Sequence, residues 1–280
     1  MALEKSGDIL RDAYKNKTGV VAFNVLNYDM IRLAIQKAEE LHKPLLVACY
    51  PGFKDMISIE AVAKIVKLCA RDVKVPVGLH LDHSSDYAEL IQAMHMGYSS
   101  VMYDGSMLSF EENAKNTAEV VKVAKTLGID VEAELGFVGD AGQLSDFADT
   151  DGFTSSDEAL LFVEKTGCSS LAVAVGNAHG NYVQEPKLDL DLIDAINKKV
   201  GIPLVLHGGS GIPDDQVKEA VKRGIAKMNL GTELFISYFA SLEANKISKK
   251  RVFDMLAAHQ LVQKDVLNLV ENKINLLCTR

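Results

Sequence analysis

Short apolar runs alternate eight times with longer amphipathic segments, and this alternation is the feature that most restricts how the chain can fold. The runs are rich in β-branched and aliphatic residues, which is typical of strands buried on both faces. Parallel strands need crossover connections, which are usually helices, so the alternation predicts a parallel sheet. The predicted strands are residues 19–25, 44–50, 75–83, 99–105, 130–136, 169–176, 202–208 and 226–231.

The segments between these runs place apolar residues at the 3.6-residue spacing of an amphipathic helix. Several begin with Asp or Ser and end at a glycine, as capped helices do; Asp157 and Glu158 open one such segment and Gly167 closes it. The clearest predicted helices are residues 28–42, 58–72, 111–128 and 214–224.

Eight strand–helix units favour a closed barrel over an open doubly wound sheet, because no residues remain for a second domain. The chain from about Thr232 onward has an almost wholly helical pattern. We therefore predict an α/β fold with one domain over residues 1–280, a (β/α)8 TIM barrel with extra C-terminal helices.

Composition excludes several classes of protein. The 30 basic and 38 acidic residues give a net charge of −8, which argues against a nucleic-acid partner. The four cysteines are far apart and form no CxxC pair, which excludes a disulfide framework and a thiolate zinc site. No apolar run reaches the roughly 18 residues that span a bilayer, and the first residues lack the apolar core of a secretion signal, so we expect a cytoplasmic protein without a membrane partner.

Polar side chains interrupt the apolar runs where the predicted strands end, and barrel enzymes carry their function at the carboxyl ends of strands. Three of the seven histidines fall in this set. A histidine taken alone is usually a hydrogen-bonded core residue, but three converging imidazoles predict a zinc site with an open coordination position. The strand-end residues are Asn24, Tyr50, Asp82, His83, Asp104, Glu134, His179, His207 and Asn229.

The other histidines receive a different interpretation. His80 lies two residues before Asp82 and shares its face of the strand, so we interpret it as a supporting residue and not a ligand. His42, His95 and His259 fall in helical segments and are interpreted as surface or packing residues.

Two turns rich in small residues follow the last two predicted strands. Gly208-Gly209-Ser210-Gly211 and Asn229-Leu230-Gly231-Thr232 each precede a helical segment. Backbone N–H groups freed by glycines form a nest for anions, and the loops after strands seven and eight are the usual phosphate site of barrels. The two turns together predict a phosphate site beside the histidines.

At five motifs the sequence resembles the class II, zinc-dependent ketose-bisphosphate aldolases, including the fructose- and tagatose-bisphosphate enzymes. The resemblance runs from about residue 5 to 240. It implies a (β/α)8 barrel that reversibly cleaves a ketose 1,6-bisphosphate to dihydroxyacetone phosphate and an aldehyde in carbohydrate metabolism. The motifs are HLDHS (80–84), VEAELG (131–136), SLAVAVGNAHGNY (170–182), PLVLHGGSGIP (203–213) and KMNLGTE (227–233).

The same resemblance implies roles for individual residues and partners. It implies that Asp82 is the acid/base acting on the C4 hydroxyl, and that a monovalent cation (Na+ or K+) lies near Gly176 and Gly208. It also implies a homodimer or homotetramer. The implied zinc ligands are His83, His179 and His207, with Asp104 and Glu134 at positions that hold a second or displaced metal. The expected substrate-binding residues are Asn24, Gly180, Gly208, Gly209, Ser210, Asn229, Leu230, Gly231 and Thr232.

The loop after the fifth strand departs from the family pattern. Ala141 and Gly142 stand where a loop glutamate is expected to shuttle the proton of the three-carbon fragment. Either Asp140 or Asp146 substitutes for it, or the acidic residues of this loop are merely solvated.

The distal pocket departs as well. Tyr50 stands where a small serine or threonine is common and would narrow the pocket, and Met107 replaces a histidine. Many fructose-bisphosphate enzymes have a lysine shortly after the tyrosine at this position, and both this chain, after Tyr182, and the tagatose type lack it. Arg251 is the candidate cation for binding a distal phosphate.

These departures leave alternatives open. The leading hypothesis is a tagatose- or fructose-bisphosphate aldolase, nearer the tagatose type. The alternatives are an aldolase for another phosphorylated sugar or sugar acid, and a sugar-phosphate-binding barrel that has lost turnover. A metal-dependent hydrolase would need more bridging carboxylates than the sequence offers.

Overall fold

Eight parallel strands pair in sequence order and the last pairs with the first, which closes the sheet into a barrel in this computed structural model. The structure describes residues 3–139, 141–142, 152–246 and 251–278. The predicted TIM barrel is therefore confirmed. The strands are β1 (Val20–Asn24), β2 (Leu45–Cys49), β3 (Val77–Ser84), β4 (Ser100–Tyr103), β5 (Asp130–Leu135), β6 (Ser170–Val173), β7 (Leu204–Leu206) and β8 (Ile225–Leu230).

Each predicted run overlaps one observed strand, and most runs extend beyond it, although β3 ends and β8 begins one residue outside the predicted run. The clearest case is β7, which covers three residues of the run 202–208. Gly208 adopts φ of +61°, a left-handed conformation that no strand continues through, so the apolar run includes the turn that follows the strand.

Ten α-helices surround the barrel within the described residues. Their ends follow capping chemistry: the Ser58 side chain accepts from the Ala61 amide, and Gly128 and Gly167 end helices in left-handed conformation. The helices are α1 (Ser6–Asn16), α2 (Tyr28–Leu41), α3 (Ile59–Ala70), α4 (Tyr87–Met96), α5 (Phe110–Leu127), α6 (Ser156–Thr166), α7 (Leu190–Val200), α8 (Asp214–Lys222), α9 (Thr232–Ala244) and α10 (Val252–Cys278).

The apolar core lies in two places. The larger cluster fills the space between the strands and the surrounding helices. The smaller cluster lies where α1 packs against the start of β1 and the middle of β2, and it contains Ile9, Leu10, Ala13, Val20, Ala22, Leu46 and Ala48. The first helix thus covers the amino-terminal end of the barrel and leaves the carboxyl ends of the strands for the site.

The C-terminal helices α9 and α10 confirm the predicted helical tail. They pack against each other, and α10 also packs against α2 and β1. Among the described residues, no helix is both long and apolar enough to cross a membrane.

Candidate metal and substrate site

Three histidines meet at the carboxyl end of the barrel. His83 lies in β3, His179 follows β6, and His207 directly follows β7. Their ring centroids are 4.5 to 5.7 Å apart. One nitrogen from each ring lies within 4.8 Å of the others, so the structure brings the predicted ligands together.

Hydrogen bonds to the outer nitrogen of each ring assign the tautomers. The Nδ1 atom of His83 donates to Asp104 Oδ2 at 2.7 Å, and Nδ1 of His179 donates to the Val138 carbonyl at 3.2 Å. The Nε2 atom of His207 donates to Glu132 Oε1 at 3.0 Å. Each ring therefore turns its other nitrogen inward, which is the orientation that metal-binding histidines receive from their outer partners.

The inward nitrogens fit zinc. His179 Nε2 is buried and has no hydrogen-bond partner among the described residues, and a buried polar atom of this kind calls for a ligand. His83 Nε2 and His207 Nδ1 lie 2.7 Å apart, so their lone pairs need a proton or a cation between them. Three neutral imidazoles are a catalytic zinc ligand set.

Asp82 is buried beside this cluster. Its two carboxylate oxygens accept hydrogen bonds from the side-chain amides of Asn24 and Asn229, each at 2.8 Å. Burial raises the pKa of Asp82, but the positive charge of His83 and its cationic neighbours outweighs it and holds the pKa below the usual range. The carboxylate is therefore charged and oriented, as a proton acceptor must be.

Asp82 and His83 both face the cavity although they are neighbours on one strand. Successive side chains of a regular strand point to opposite faces. His83 has φ of +45°, and the pairing of β3 with β4 shifts register between Leu81 and Ser84. This irregularity turns both side chains toward the cavity at the cost of an uncommon backbone conformation.

Asp104 and Glu134 form a second group with His83. Besides His83, the Asp104 carboxylate accepts from both the amide and the hydroxyl of Ser106, at 3.1 and 2.7 Å. Burial raises the pKa of Glu134 to about 8, and its Oε2 atom has no hydrogen-bond partner among the described residues. One ligand atom from each of the three side chains lies within 4.8 Å of the others, where the resemblance implies a second or displaced metal.

A fully buried charged layer lies under the site. Lys227 Nζ donates to both oxygens of Glu132, at 2.9 and 2.8 Å, and contacts His80 Nε2 at 3.1 Å. His80 also contacts the Ser100 hydroxyl at 2.7 Å, which agrees with its interpretation as a supporting residue. Lys227 compensates the charge of Glu132, and Glu132 in turn orients His207.

Glu132 and Lys227 were not predicted as site residues from the sequence. Each lies two residues before a recognised site residue on its strand, as His80 lies two before Asp82. Residues at this spacing point to the same face, so the period of two would have predicted a second inward-facing polar layer.

The predicted phosphate turns lie at one end of the cavity. Gly208 needs its left-handed conformation, and a Cβ there would lie 1.9 Å from the Ala178 carbonyl oxygen. The Ser210 hydroxyl accepts from the Glu233 amide at 3.1 Å, in the first turn of α9. These turns therefore bring small residues and a helix N-terminus to the cavity.

The described residues enclose a cavity of about 820 Å³ over the histidines. Most of the predicted substrate-binding residues line it. Gly209 and Leu230 lie beside the cavity without lining it: the Gly209 amide donates to the Asn229 carbonyl, and Leu230 is fully buried in the apolar core. The lining residues among the predicted set are Asn24, Gly180, Gly208, Ser210, Asn229, Gly231 and Thr232.

Tyr50 and Met107, two of the departures from the family pattern, line the same cavity. Arg251, the candidate for a distal phosphate, instead pairs with Asp254 at 2.9 Å and is not among the lining residues. Asp140 and Asp146 lie outside the described residues.

The comparisons with known proteins agree with this geometry. The family model described as "Fructose-bisphosphate aldolase class-II" matches residues 4–280. The chain is 39% identical over 239 residues to the sulfofructosephosphate aldolase of Alkalicoccus urumqiensis, covering 85% of this chain and 83% of that protein. It is also 39% identical over 235 residues to the uncharacterized protein YdjI of Escherichia coli K12, covering 84% of each.

Solved structures match over nearly the whole chain. The crystal structure of the YdjI aldolase from Escherichia coli K12 has a TM-score of 0.88 at 35% identity, covering 98% of this chain and 97% of that one. A putative fructose-1,6-bisphosphate aldolase from Coccidioides immitis has a TM-score of 0.86 at 28% identity, covering 98% and 96%.

Proposed function

The chain belongs to the class II fructose-bisphosphate aldolase family and is therefore a lyase, and from this premise we propose a zinc-dependent enzyme that reversibly splits a phosphorylated ketose into dihydroxyacetone phosphate and an aldehyde. The observation that carries the proposal is the set of three inward-facing imidazole nitrogens beside the buried carboxylate of Asp82. Zinc, held by His83, His179 and His207, would supply Lewis acidity that stabilises negative charge on the three-carbon fragment.

Asp82 is proposed to move the proton of the C4 hydroxyl. When the C3–C4 bond breaks, its electron pair stays on C3, and the C4 hydroxyl becomes the aldehyde by losing its proton to the carboxylate. Asn24 and Asn229 hold this carboxylate in place through one hydrogen bond to each oxygen. The proton that C3 then takes up needs a second acid, and Asp140 and Asp146 remain candidates for it.

The phosphate of the three-carbon fragment is proposed to bind at the turns after β7 and β8. Gly208, Ser210 and Thr232 line this end of the cavity, and the N-cap of α9 is Gly231, which has no side chain to cap the helix. Free amides at a helix N-terminus favour an anion. This binding would fix the fragment with its oxygens toward the histidines.

Both substrate classes left open by the sequence contain this fragment. A tagatose or fructose 1,6-bisphosphate and another phosphorylated sugar or sugar acid differ only in the aldehyde half.

The proposal also includes assembly as a homodimer or homotetramer, a cytoplasmic location and a monovalent cation near Gly176 and Gly208. Exposed apolar side chains on α9 and α10, among them Ile236, Phe239, Leu256 and Leu261, offer surface for assembly.

Solvent exchange tests the proposal without knowledge of the aldehyde. The zinc-loaded protein is incubated with dihydroxyacetone phosphate in deuterium oxide, and exchange at C3 is followed by NMR. We expect stereospecific loss of one C3 proton signal, abolished by a chelator and restored by zinc. No exchange by the zinc-loaded protein, or exchange that survives complete metal removal, would contradict the proposal; the first outcome favours a binding protein without turnover.

A further inference from the structure

The two turns of the proposed phosphate end are joined to each other by a reciprocal pair of hydrogen bonds. The Ser210 hydroxyl, in the turn after β7, accepts from the Glu233 amide in the first turn of α9 at 3.1 Å. In return, the Glu233 carboxylate accepts from the Gly211 amide at 2.7 Å. A capping box pairs two residues of one helix in the same way, but here the partner is a turn from elsewhere in the chain. The pair therefore fixes the turn relative to the helix N-terminus.

Neighbouring residues of the turn after β7 serve different purposes. Ser210 lines the cavity, whereas the amides on either side of it are used as anchors. The Gly209 amide donates to the Asn229 carbonyl at 3.1 Å, and the Gly211 amide donates to Glu233. Because the anchored residues flank a lining residue, loss of either anchor would displace a group that faces the ligand.

Tyr182 restrains the same turn independently. Its hydroxyl accepts from the Ala178 amide at 2.8 Å and donates to the Gly208 carbonyl at 3.1 Å. Gly211 has φ of +88°, and a Cβ there would lie 3.1 Å from a ring carbon of Tyr182. The turn is thus anchored at its beginning by the Tyr182 hydroxyl and at its end by the Glu233 carboxylate.

Lys273 of α10 compensates the charge of the Glu233 carboxylate. Its Nζ atom donates to both carboxylate oxygens, at 3.0 and 2.8 Å. The side chains of the two residues are only 12% and 26% exposed, so salt screens the pair less than it would screen an exposed one. This ion pair connects the C-terminal helix to the phosphate end of the cavity.

The charge of Glu233 bears directly on an anion in the cavity. Its neighbour Thr232 and its hydrogen-bond partner Ser210 both line the cavity at the phosphate end. A carboxylate in the first turn stabilises a helix, but it also repels a phosphate that binds at the same N-terminus. Lys273 removes this conflict, because the pair has no net charge while the carboxylate still accepts from Gly211.

From these observations we infer that Glu233 and Lys273 are positioning residues for the phosphate of dihydroxyacetone phosphate. Glu233 holds the turn after β7 against α9, and Lys273 cancels the carboxylate charge that would otherwise weaken phosphate binding. The inference rests on the proposed function and deepens it, because it makes the C-terminal helix α10 part of the support of the phosphate site.

Variants that change the charge of the pair test the inference. The dissociation constant of dihydroxyacetone phosphate is measured by isothermal titration calorimetry on the zinc-loaded wild-type protein, Lys273→Met, Glu233→Gln and the double variant. We expect Lys273→Met to weaken binding about fivefold, because an uncompensated carboxylate then repels the phosphate. Glu233→Gln should weaken it by no more than about twofold, because the amide oxygen still accepts from Gly211 and the lysine charge remains.

The double variant distinguishes this charge effect from a merely structural one. Removing the carboxylate charge from Lys273→Met should restore the affinity to within about twofold of the wild-type value. A pair that only stabilises the fold would instead lose affinity in both single variants and would not be rescued in the double variant. That result, or an unchanged affinity of Lys273→Met, would overturn the inference.

Lys37→Met is the matched control for Lys273→Met. The Lys37 side chain is 14% exposed and also forms an ion pair with α10, through Glu271 at 3.1 Å, but it reaches that helix from α2. Its removal should leave the dissociation constant within about twofold of the wild-type value, and urea denaturation compares the stability that the two variants lose. Equal weakening of dihydroxyacetone phosphate binding in both variants would show that docking of α10 alone controls the site, which overturns the inference.

The solvent-exchange assay separates failure of this inference from failure of the proposed function. Exchange by the wild-type protein together with an unrescued double variant refutes the inference and leaves the proposed function standing. The expected pattern of dissociation constants without exchange supports the inference and contradicts the proposed function. Absence of both binding and exchange overturns both.

Discussion

Asp82 and His83 are adjacent in the chain, yet the left-handed backbone at His83 lets one serve as a proposed base and the other as a proposed metal ligand in the same cavity. We expect Asp82→Ala to lower kcat by about 100-fold or more while zinc stays bound, because the three imidazoles remain and the proton acceptor is removed. Turnover and metal content measured on the same sample check this expectation.

Asp72→Ala is the matched control, since this exposed carboxylate pairs only with Arg71 at the surface in the described contacts. It should leave both quantities unchanged. Normal turnover of Asp82→Ala would remove Asp82 from the mechanism, and loss of zinc would make it a positioning residue for the metal site.

Zinc binding should depend on pH through His83. Burial lowers the pKa of this imidazole, but the carboxylates of Asp82 and Asp104 outweigh burial and raise its pKa to about 9. Burial lowers the pKa of His179 to about 3 and also lowers that of His207, so both are already neutral at pH 7. A proton must leave His83 before its Nε2 atom can bind metal, so the apparent affinity of the apoprotein should rise about tenfold per pH unit from pH 7 to 9.

Competition with a chelator of known affinity, corrected for its own titration, measures this slope. Asp104→Asn removes a charge that holds the His83 proton and should flatten the profile. A pH-independent affinity of the wild-type protein over this range would show that no proton competes with the metal.

The residues of this cavity differ in how far the sequence could predict them. His83, His179 and His207 stand out because polar side chains ending apolar strands are uncommon, and the structure brings them together. Glu132 and Lys227 were hidden inside strands that otherwise read as apolar core. Their partners come from different strands, and only the closed barrel brings those strands together.

At the scale of the element, strand number and order followed from the apolar pattern, whereas strand ends did not. Hydrogen-bond pairing defines where a strand stops, and the pattern of apolar residues continues into the turns that build the site. The turn after β7 is the clearest example, because its residues belong to the predicted run and to the phosphate end of the cavity.

Gly208→Ala should show how tightly this turn is held. The change places a Cβ in a left-handed conformation and within 1.9 Å of the Ala178 carbonyl oxygen, so the loops after β6 and β7 must separate. Gly201→Ala is the matched control, since Gly201 has φ of +64° and open space around its Cβ position.

We expect the control to lower the free energy of unfolding by about 1–2 kcal/mol and Gly208→Ala to lower it by about 2 kcal/mol more. Gly208→Ala alone should also raise the KM for dihydroxyacetone phosphate. Urea denaturation and condensation kinetics measure the two effects. Equal losses of stability in both variants would mean that the loop accommodates the clash without cost.

At the scale of the whole molecule, the barrel separates stability from chemistry along its axis. Helix α1 covers the amino-terminal end through Leu10 and its neighbours in the smaller core cluster, whereas the histidines lie at the opposite end. Leu10→Ala should lower the free energy of unfolding by about 2–5 kcal/mol, because it deletes buried apolar contacts and leaves a cavity. It should not change zinc affinity, since Leu10 lies on α1 at the amino-terminal end of the barrel and the histidines lie at the opposite end.

The control for Leu10→Ala is the same substitution at Leu127, which is 57% exposed on α5 and should change stability by about 0.5 kcal/mol at most. Urea unfolding gives the loss of stability, and chelator competition on the folded protein gives the zinc dissociation constant. A change in that constant greater than about threefold in Leu10→Ala, without a similar change in Leu127→Ala, would show that the two ends of the barrel are coupled. Separation of the ends would instead allow residues of the cavity to differ between enzymes with different substrates while α1 stabilises the fold.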